Sequence, residues 1–155
     1  MDTTIQPIPL TAEFFAQTQA KYQQLSDERV EVMKRLQTAR EMGDLSENGA
    51  YKYAKFELGS IGRQLQQLKF LLDNGVIVKP PTNPTQISFG CVVKLQAAEK
   101  TVSYQLVSQY ESNPKEGKLS MESPIGSALM KKRVGDTVEI TIPSGAVTYS
   151  VLSIS

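Results

Sequence analysis

Two stretches with a helical apolar pattern, separated by a short polar segment, constrain the fold of this chain more than any other feature. Apolar side chains recur at alternating steps of three and four from Phe15 to Ala39, and again from Tyr51 to Leu72. This spacing puts the apolar side chains of each stretch on one face of a helix. Two such faces on a short connection escape water by packing together, so we predict an antiparallel coiled-coil hairpin. In the first stripe the positions are Phe15, Thr18, Tyr22, Leu25, Arg29, Val32, Leu36 and Ala39, with Thr18 and Arg29 as polar interruptions.

The second half of the chain carries a different pattern. Short runs rich in β-branched residues, such as "CVVKLQ" and "DTVEITI", alternate with turn signals such as "ESNPKEG" and "PSG". These runs are typical of the strands of a small sheet. The segment "SPIGSALMKK" is predicted to form one short helix, with Ser123 as the N-cap and Pro124 at the first helical position.

The boundary between the two halves is marked by glycine and proline. Gly75 is suited to end the second helix in a left-handed conformation, and prolines between residues 80 and 84 cannot continue a helix. The predicted fold is therefore α+β. It consists of an N-terminal hairpin over residues 1–76, with an acidic tip at residues 43–48, followed by a proline-rich linker and a small twisted β-sheet domain with one short helix. The linker is placed at residues 77–84 and the sheet domain at residues 85–155.

Composition excludes several classes of protein. The chain has no histidine, which excludes Ser-His-Asp and Cys-His nucleophile systems and disfavours a zinc site. Seventeen basic and sixteen acidic residues create no strong overall field, so any nucleic-acid contact must be local or guided by a partner. Cys91, in an apolar run, is expected to be a buried structural thiol. Since no stretch approaches the roughly 20 apolar residues of a membrane span, we expect a cytoplasmic protein.

The carboxylates Asp44 and Glu47 have two interpretations. Their spacing matches a capping box, in which Asp44 accepts a backbone amide hydrogen and Glu47 reaches back to start the second helix. On spacing alone this is the simpler interpretation. The alternative is that two exposed carboxylates supply oxygens to a hard cation such as Mg²⁺. Two carboxylates do not complete a metal site, so such an ion would have to be held mostly by another molecule.

Two segments resemble a known family. "AREMGDLSENGAYKYAK" is similar to the tip motif of the bacterial Gre transcript-cleavage factors, the GreA/GreB family, and "SPIGSALMKKRVGDTVEITIPSGAVTYSVLSI" resembles the C-terminal signature of that family. The resemblance covers essentially the whole chain. It implies that the sheet domain is FKBP-like, lacks isomerase chemistry and docks on the rim of the secondary channel of RNA polymerase. The hairpin, about 45 Å long, would then reach toward the polymerase active site.

By this resemblance Asp44 and Glu47 match the tip acids of the family and are the predicted catalytic and metal-binding residues. In a backtracked complex the polymerase would hold one Mg²⁺, while the two carboxylates would help to retain a second and to position the attacking water. The chain would have no cofactor of its own and would stimulate the cleavage activity of the polymerase rather than be an enzyme. Its predicted partners are bacterial RNA polymerase and the 3′ end of the nascent RNA, with no membrane, and a monomer is expected.

Further residues near the tip match family positions or carry suitable charge. The predicted contacts with RNA or within the tip are Ser46, Asn48, Tyr51, Arg40, Lys52 and Lys55. The first three are more simply explained as helix caps or seam residues, whereas the three cations would attract RNA phosphates. Lys34, Arg35 and Arg63 lie further from the tip, and we expect them on a solvated face with acidic neighbours.

On the second domain, Ser123, Pro124, Ile125 and Gly126 match the loop that the family presents to the polymerase. Without the resemblance, these residues indicate only the start of a helix.

Two departures from the family pattern leave alternatives open. Gly49 and Ala50 stand where the family has alanine and glutamate, so position 50 lacks an acid. A regulator that occupies the channel and inhibits the polymerase without cleavage is therefore the alternative function. A chaperone or prolyl isomerase is a third hypothesis, and the aromatic residues that could form its pocket are Phe89, Tyr104, Tyr110 and Tyr149.

Overall fold

The computed structural model describes residues 6–43 and 48–155, which form two compact units. The first unit is built on residues 15–75, and the second on residues 7–14 and 76–155. The predicted division put residues 7–14 and Val76 with the hairpin and residues 77–84 in a separate linker, whereas this grouping has all of them in the second unit.

The first unit is a helical hairpin. Helix α1 spans Ala12–Glu41 and helix α2 spans Gly49–Asn74, so their 30 and 26 residues extend over about 45 and 39 Å. The buried residues between the helices come from both stripes, and they are Leu25, Val32, Ala54, Ile61 and Leu65. Packing of the two stripes against each other removes both from water, as the heptad pattern predicts.

The seam differs from the predicted pattern at two positions. Thr18 is buried as expected, but the side chain of Arg29 is exposed. Arg29 lines a surface groove of about 470 Å³ together with Gly62, which has no side chain to fill the space. Near the end of α2, Leu71 rather than Leu72 is buried. The assignment of Arg29 to the buried seam was therefore wrong, whereas Leu72 is partly buried.

Residues 7–14 belong to the second unit through a short strand and one buried carboxylate. Strand β1 (Ile8–Leu10) pairs with β2 (Gly75–Ile77) in a two-stranded sheet. Thr11 donates its backbone N–H and its hydroxyl to the carboxylate of Glu111, which is buried. The hydroxyl oxygen of Thr11 also accepts the backbone N–H of Phe14 at 3.2 Å, at the start of α1.

The expected left-handed conformation of Gly75 is wrong. Its backbone is extended, with φ −77° and ψ 142°, because the chain passes from α2 directly into strand β2.

The second unit contains a five-stranded sheet and one short helix. The strand order is β5-β4-β3-β7-β6, in which β4 and β5 are parallel and the other neighbours are antiparallel. The elements are β3 (Val92–Ala97), β4 (Lys100–Val107), β5 (Lys118–Ser120), α3 (Pro124–Leu129), β6 (Thr137–Ile142) and β7 (Gly145–Ile154). With the hairpin, this confirms the predicted α+β fold.

One apolar core holds the second unit together. Leu95 of β3, Leu106 of β4 and Leu129 of α3 are fully buried in it, so the helix covers one face of the sheet. Cys91, just before β3, is also fully buried and has no disulfide partner, which confirms its expected burial. Among the helices of the described ranges, none is long and apolar enough to cross a membrane.

Candidate functional site

The end of the hairpin is fixed by Asn48. Its side-chain oxygen accepts the backbone N–H of Tyr51 at 3.1 Å, and its side-chain amide donates to the carbonyl of Ala39 at 2.6 Å. The first bond satisfies an amide at the start of α2, and the second satisfies a carbonyl near the end of α1. One short polar side chain therefore joins the two helices at the point where the chain reverses.

This geometry contradicts the capping-box interpretation of the two tip carboxylates. Because α2 begins at Gly49 with Asn48 as its N-cap, neither Asp44 nor Glu47 occupies the positions that a capping box for this helix requires. Asp44, Ser46 and Glu47 themselves lie outside the described residues, so their roles in binding metal and RNA stay predictions. The start of α2 does not account for the two carboxylates.

The three predicted cations lie close to the end of the hairpin. Arg40 is in the last turn of α1, and Lys52 and Lys55 are in the first two turns of α2, all with exposed side chains. The ammonium of Lys55 lies 6.0 Å from the ring centroid of Tyr51, at the outer limit of a cation–π contact. Within residues 6–43 and 48–155, none of these three cations forms an ion pair with a carboxylate.

Two of the three cations that were predicted further from the tip are paired. Arg35 of α1 donates to Glu57 of α2 at 3.1 Å, and this hydrogen bond raises the pKa of Arg35. Lys34 lies 3.2 Å from Glu31, one turn away on the same helix. The expectation of acidic neighbours is confirmed for Lys34 and Arg35, whereas Arg63 forms no ion pair with the carboxylates of the described residues.

In the predicted polymerase-binding loop, two residues are required by the fold. The hydroxyl of Ser123 accepts the N–H of Gly126 at 3.0 Å and donates to the carbonyl of Ser120 at 2.7 Å, which confirms Ser123 as the N-cap of α3. Gly126 is buried, and a Cβ at this position would lie 1.9 Å from the carbonyl oxygen of Ser120. Ser123 and Gly126 therefore set the shape of the loop.

The other two residues of the loop are placed differently. Pro124 is exposed at the first position of α3, and Ile125 is partly buried against the core of the second unit. Pro124 is thus the side chain of this loop that is most available for contact with another molecule.

Sequence reasoning missed three exposed apolar side chains near the tip, those of Met42, Tyr53 and Phe56. A signal for two of them was present, because Tyr53 and Phe56 fall outside the apolar stripe of α2, on which Ala54 lies. Within residues 6–43 and 48–155, no group of three or more carboxylate or cysteine side chains could hold a metal ion.

Comparison with known proteins gives consistent results over both halves of the chain. Residues 8–77 match the family described as "Transcription elongation factor, N-terminal", and residues 81–155 match "Transcription elongation factor, GreA/GreB, C-term". The transcription elongation factor GreA of Sphingopyxis alaskensis is 36% identical over 153 residues, with 97% of each chain covered. GreA of Leuconostoc mesenteroides is 38% identical over 141 residues, with 88% of each chain covered.

Among solved structures, the chain is similar to the transcription factor Gfh1, with 27% identity and a TM-score of 0.48 over 97% of this chain and 99% of that one. GreA factor homolog 1 of Thermus thermophilus gives 27% identity and a TM-score of 0.46 over the same shares. The two family matches together span almost all of residues 8–155, and the GreA proteins align over nearly their whole length. The chain therefore belongs to the GreA/GreB family of transcription elongation factors.

Proposed function

We propose that this chain binds bacterial RNA polymerase, inserts the end of its hairpin into the secondary channel and stimulates Mg²⁺-dependent cleavage of nascent RNA in backtracked complexes. The observation that carries the proposal is the capping of α2 by Asn48. Since Asn48 starts the helix, Asp44 and Glu47 are not needed for that purpose. Because this chain is a member of the GreA/GreB family, we infer that the two carboxylates act instead in the active site of the polymerase.

The dimensions of the hairpin suit this task. Each helix has a diameter of about 10–12 Å with its side chains, and α1 is about 45 Å long. A pair of helices is therefore narrow enough to enter a channel that excludes a globular domain. The bond between Asn48 and Ala39 keeps the two helix ends together, so the tip would enter as one body.

The chemistry assigned to the tip is two-metal hydrolysis of a phosphodiester. The polymerase would hold one Mg²⁺, and Asp44 and Glu47 would supply oxygen ligands to a second ion that neither molecule binds well alone. The same carboxylates would orient the water that attacks the phosphorus. On this proposal the chain completes an active site that belongs to the polymerase and does not act as an enzyme by itself.

The cations near the tip support a role in guiding RNA. Arg40, Lys52 and Lys55 are exposed, and within the described part of the chain no carboxylate neutralises them. Lysine and arginine side chains at such positions contact phosphates and fix the register of a nucleic acid without reading its sequence. They would hold the extruded RNA strand alongside the tip.

The loop at the start of α3 is the proposed contact with the polymerase. Ser123 and Gly126 would act indirectly, by holding the loop against Ser120, whereas Pro124 and part of Ile125 would touch the partner.

The test is a cleavage assay on backtracked elongation complexes that carry 5′-labelled RNA, in the presence of Mg²⁺. The double variant Asp44→Asn/Glu47→Gln removes both charges with little change in shape. We expect wild-type protein to shorten the RNA and the double variant to do so at least about tenfold more slowly. Mutation of residues that only support the metal ligands already lowers metal affinity or activity by about 10- to 100-fold. Binding of both proteins to the polymerase, measured in the same samples, is the control.

Two outcomes would contradict the proposal. If the double variant shortens the RNA as fast as wild type, the carboxylates are not the working groups. If neither protein shortens the RNA while both bind and slow elongation on unarrested templates, the chain is a channel-occupying inhibitor.

A further inference from the structure

The end of the hairpin exposes more apolar surface than folding alone explains. Met42, Tyr53 and Phe56 are 71%, 65% and 71% exposed, and no other large apolar side chain within residues 6–43 and 48–155 exceeds the 59% of Val134. We call Met42, Tyr53 and Phe56 the tip platform. Exposed apolar groups that cluster in one place, rather than singly, indicate a binding surface.

The three side chains lie near the same end of the hairpin, and Tyr53 is the member that links the other two. Tyr53 and Phe56 are three residues apart on α2 and therefore project from the same side of the helix. Met42 and Tyr53 both line a groove of about 350 Å³ between α1 and α2, which extends from Met42 back to Glu31 and does not include Phe56. The small side chains of Ala39 and Ala54 line the same groove and leave room for a flat ring beside Tyr53.

The charges around the tip platform favour nucleic acid over protein as its partner. In the sequence "YKYAKF", residues 51–56, lysines alternate with aromatic residues, and Lys52 lies one helical turn from Phe56. Lysine is depleted in the cores of protein interfaces, whereas aromatic rings interleaved with cations are the usual surface for single-stranded nucleic acids. An aromatic ring can stack on any base, so this kind of binding has no sequence preference. A factor that acts at many positions along an RNA requires such binding.

We propose that Tyr53 and Phe56 stack on unpaired bases of the extruded RNA, with Met42 closing the groove and Lys52 and Lys55 contacting the phosphates. This rests on the proposed function, because it assumes that the hairpin end reaches the RNA. It assigns the tip platform to single-stranded RNA without sequence preference. Removing one stacked ring should weaken binding by about 5- to 150-fold, the range found for single bases on aromatic side chains.

The test compares binding to two polymerase complexes on the same template, one backtracked with an extruded RNA 3′ end and one not backtracked. The Tyr53→Ala/Phe56→Ala variant should bind the backtracked complex at least about fivefold more weakly than wild type and the other complex equally well. Tyr53→Phe/Phe56→Tyr keeps both rings and should bind like wild type. Tyr53→Leu/Phe56→Leu keeps apolar surface without rings and should behave like the alanine variant.

The matched control is Phe70→Ala, which removes a partly exposed ring from the same helix about 21 Å from Phe56. It should change neither affinity. Equal loss in both complexes, or full binding by the leucine variant, would mean that the tip platform contacts the polymerase itself and would overturn the proposal. Unchanged binding of the alanine variant to both complexes would also overturn it.

Failure of this proposal is distinguishable from failure of the proposed function. If only the tip platform is wrong, wild-type protein still shortens the RNA and the ring variants show no selective loss. If the proposed function is wrong, wild-type protein does not shorten the RNA, whatever the ring variants do in binding.

Discussion

Replacing Gly126 with alanine should destabilise the second unit because of one close approach between α3 and the end of β5. A Cβ at position 126 would lie 1.9 Å from the carbonyl oxygen of Ser120 and 2.9 Å from both its carbonyl carbon and the hydroxyl oxygen of Ser123. The 1.9 Å contact is far inside van der Waals distance and involves backbone, which cannot move aside like the end of a flexible side chain. The first turn of α3 must therefore shift away from Ser120.

That shift would break identifiable interactions. The carbonyl of Ser120 accepts the backbone N–H of Ser123 at 3.1 Å and the hydroxyl of Ser123 at 2.7 Å. Each such hydrogen bond is worth about 0.5–1.5 kcal/mol, and overpacking a close contact costs about 1–3 kcal/mol. We therefore expect Gly126→Ala to lower the free energy of unfolding by about 2–6 kcal/mol. For a unit of this size that corresponds to a fall in Tm of at least about 8 °C.

The assay is thermal and urea unfolding followed by circular dichroism. The control is Ser127→Ala on the next residue of α3, which adds no atoms and removes only an exposed hydroxyl that donates to the carbonyl of Pro124 at 3.3 Å. We expect the control to stay within about 0.5 kcal/mol of wild type. A Gly126→Ala protein with a Tm within about 2 °C of wild type would refute the close approach. The glycine of the "SPIG" segment would then have to be explained by contact with the polymerase.

Two further predictions concern the hairpin, and urea denaturation checks both. Asn48→Ala removes the cap of α2 and the bond to Ala39, and should lower the free energy of unfolding by about 1–3 kcal/mol. Asn48→Asp keeps the oxygen that caps α2 and should lower it by less. Equal losses in the two variants would show that only the bond to Ala39 matters. Gly62→Ala places a methyl group where no atom lies within 4 Å, inside a helix, and should raise the free energy of unfolding by about 0.5–1 kcal/mol. A decrease would mean that the groove beside Arg29 closes in solution.

Local patterns in the sequence were sufficient to predict the hairpin and the start of α3. Heptad spacing directly reports which helix face is buried, and Ser123 followed by Pro124 is a signal contained in two residues. The prediction that Arg29 is buried was wrong because a heptad pattern assigns a position to the helix interface but does not show which residue faces it on the other helix. Opposite a glycine, a long charged side chain can leave the seam for solvent, as Arg29 does beside Gly62.

Other features depend on contacts that no local pattern contains. The attachment of residues 7–14 to the second unit uses a bond between Thr11 and Glu111, a hundred residues apart in the chain. The sequence offered both Asp44 and Asn48 as caps of α2, because the tip contains several residues that can cap a helix, and only the observed start at Gly49 selects Asn48. The tip platform was missed because the heptad pattern marks only the buried face of α2, and Tyr53 and Phe56 lie outside that face.

The most direct test of the central claim is the Mg²⁺ dependence of the cleavage rate in backtracked complexes. If Asp44 and Glu47 supply oxygens to a weakly held ion, wild-type protein should lower the Mg²⁺ concentration that gives half-maximal cleavage, and Asp44→Asn/Glu47→Gln should return it to the value of polymerase alone. A half-maximal concentration that is the same with wild type, with the double variant and with polymerase alone would contradict the account, because the carboxylates would then hold no metal.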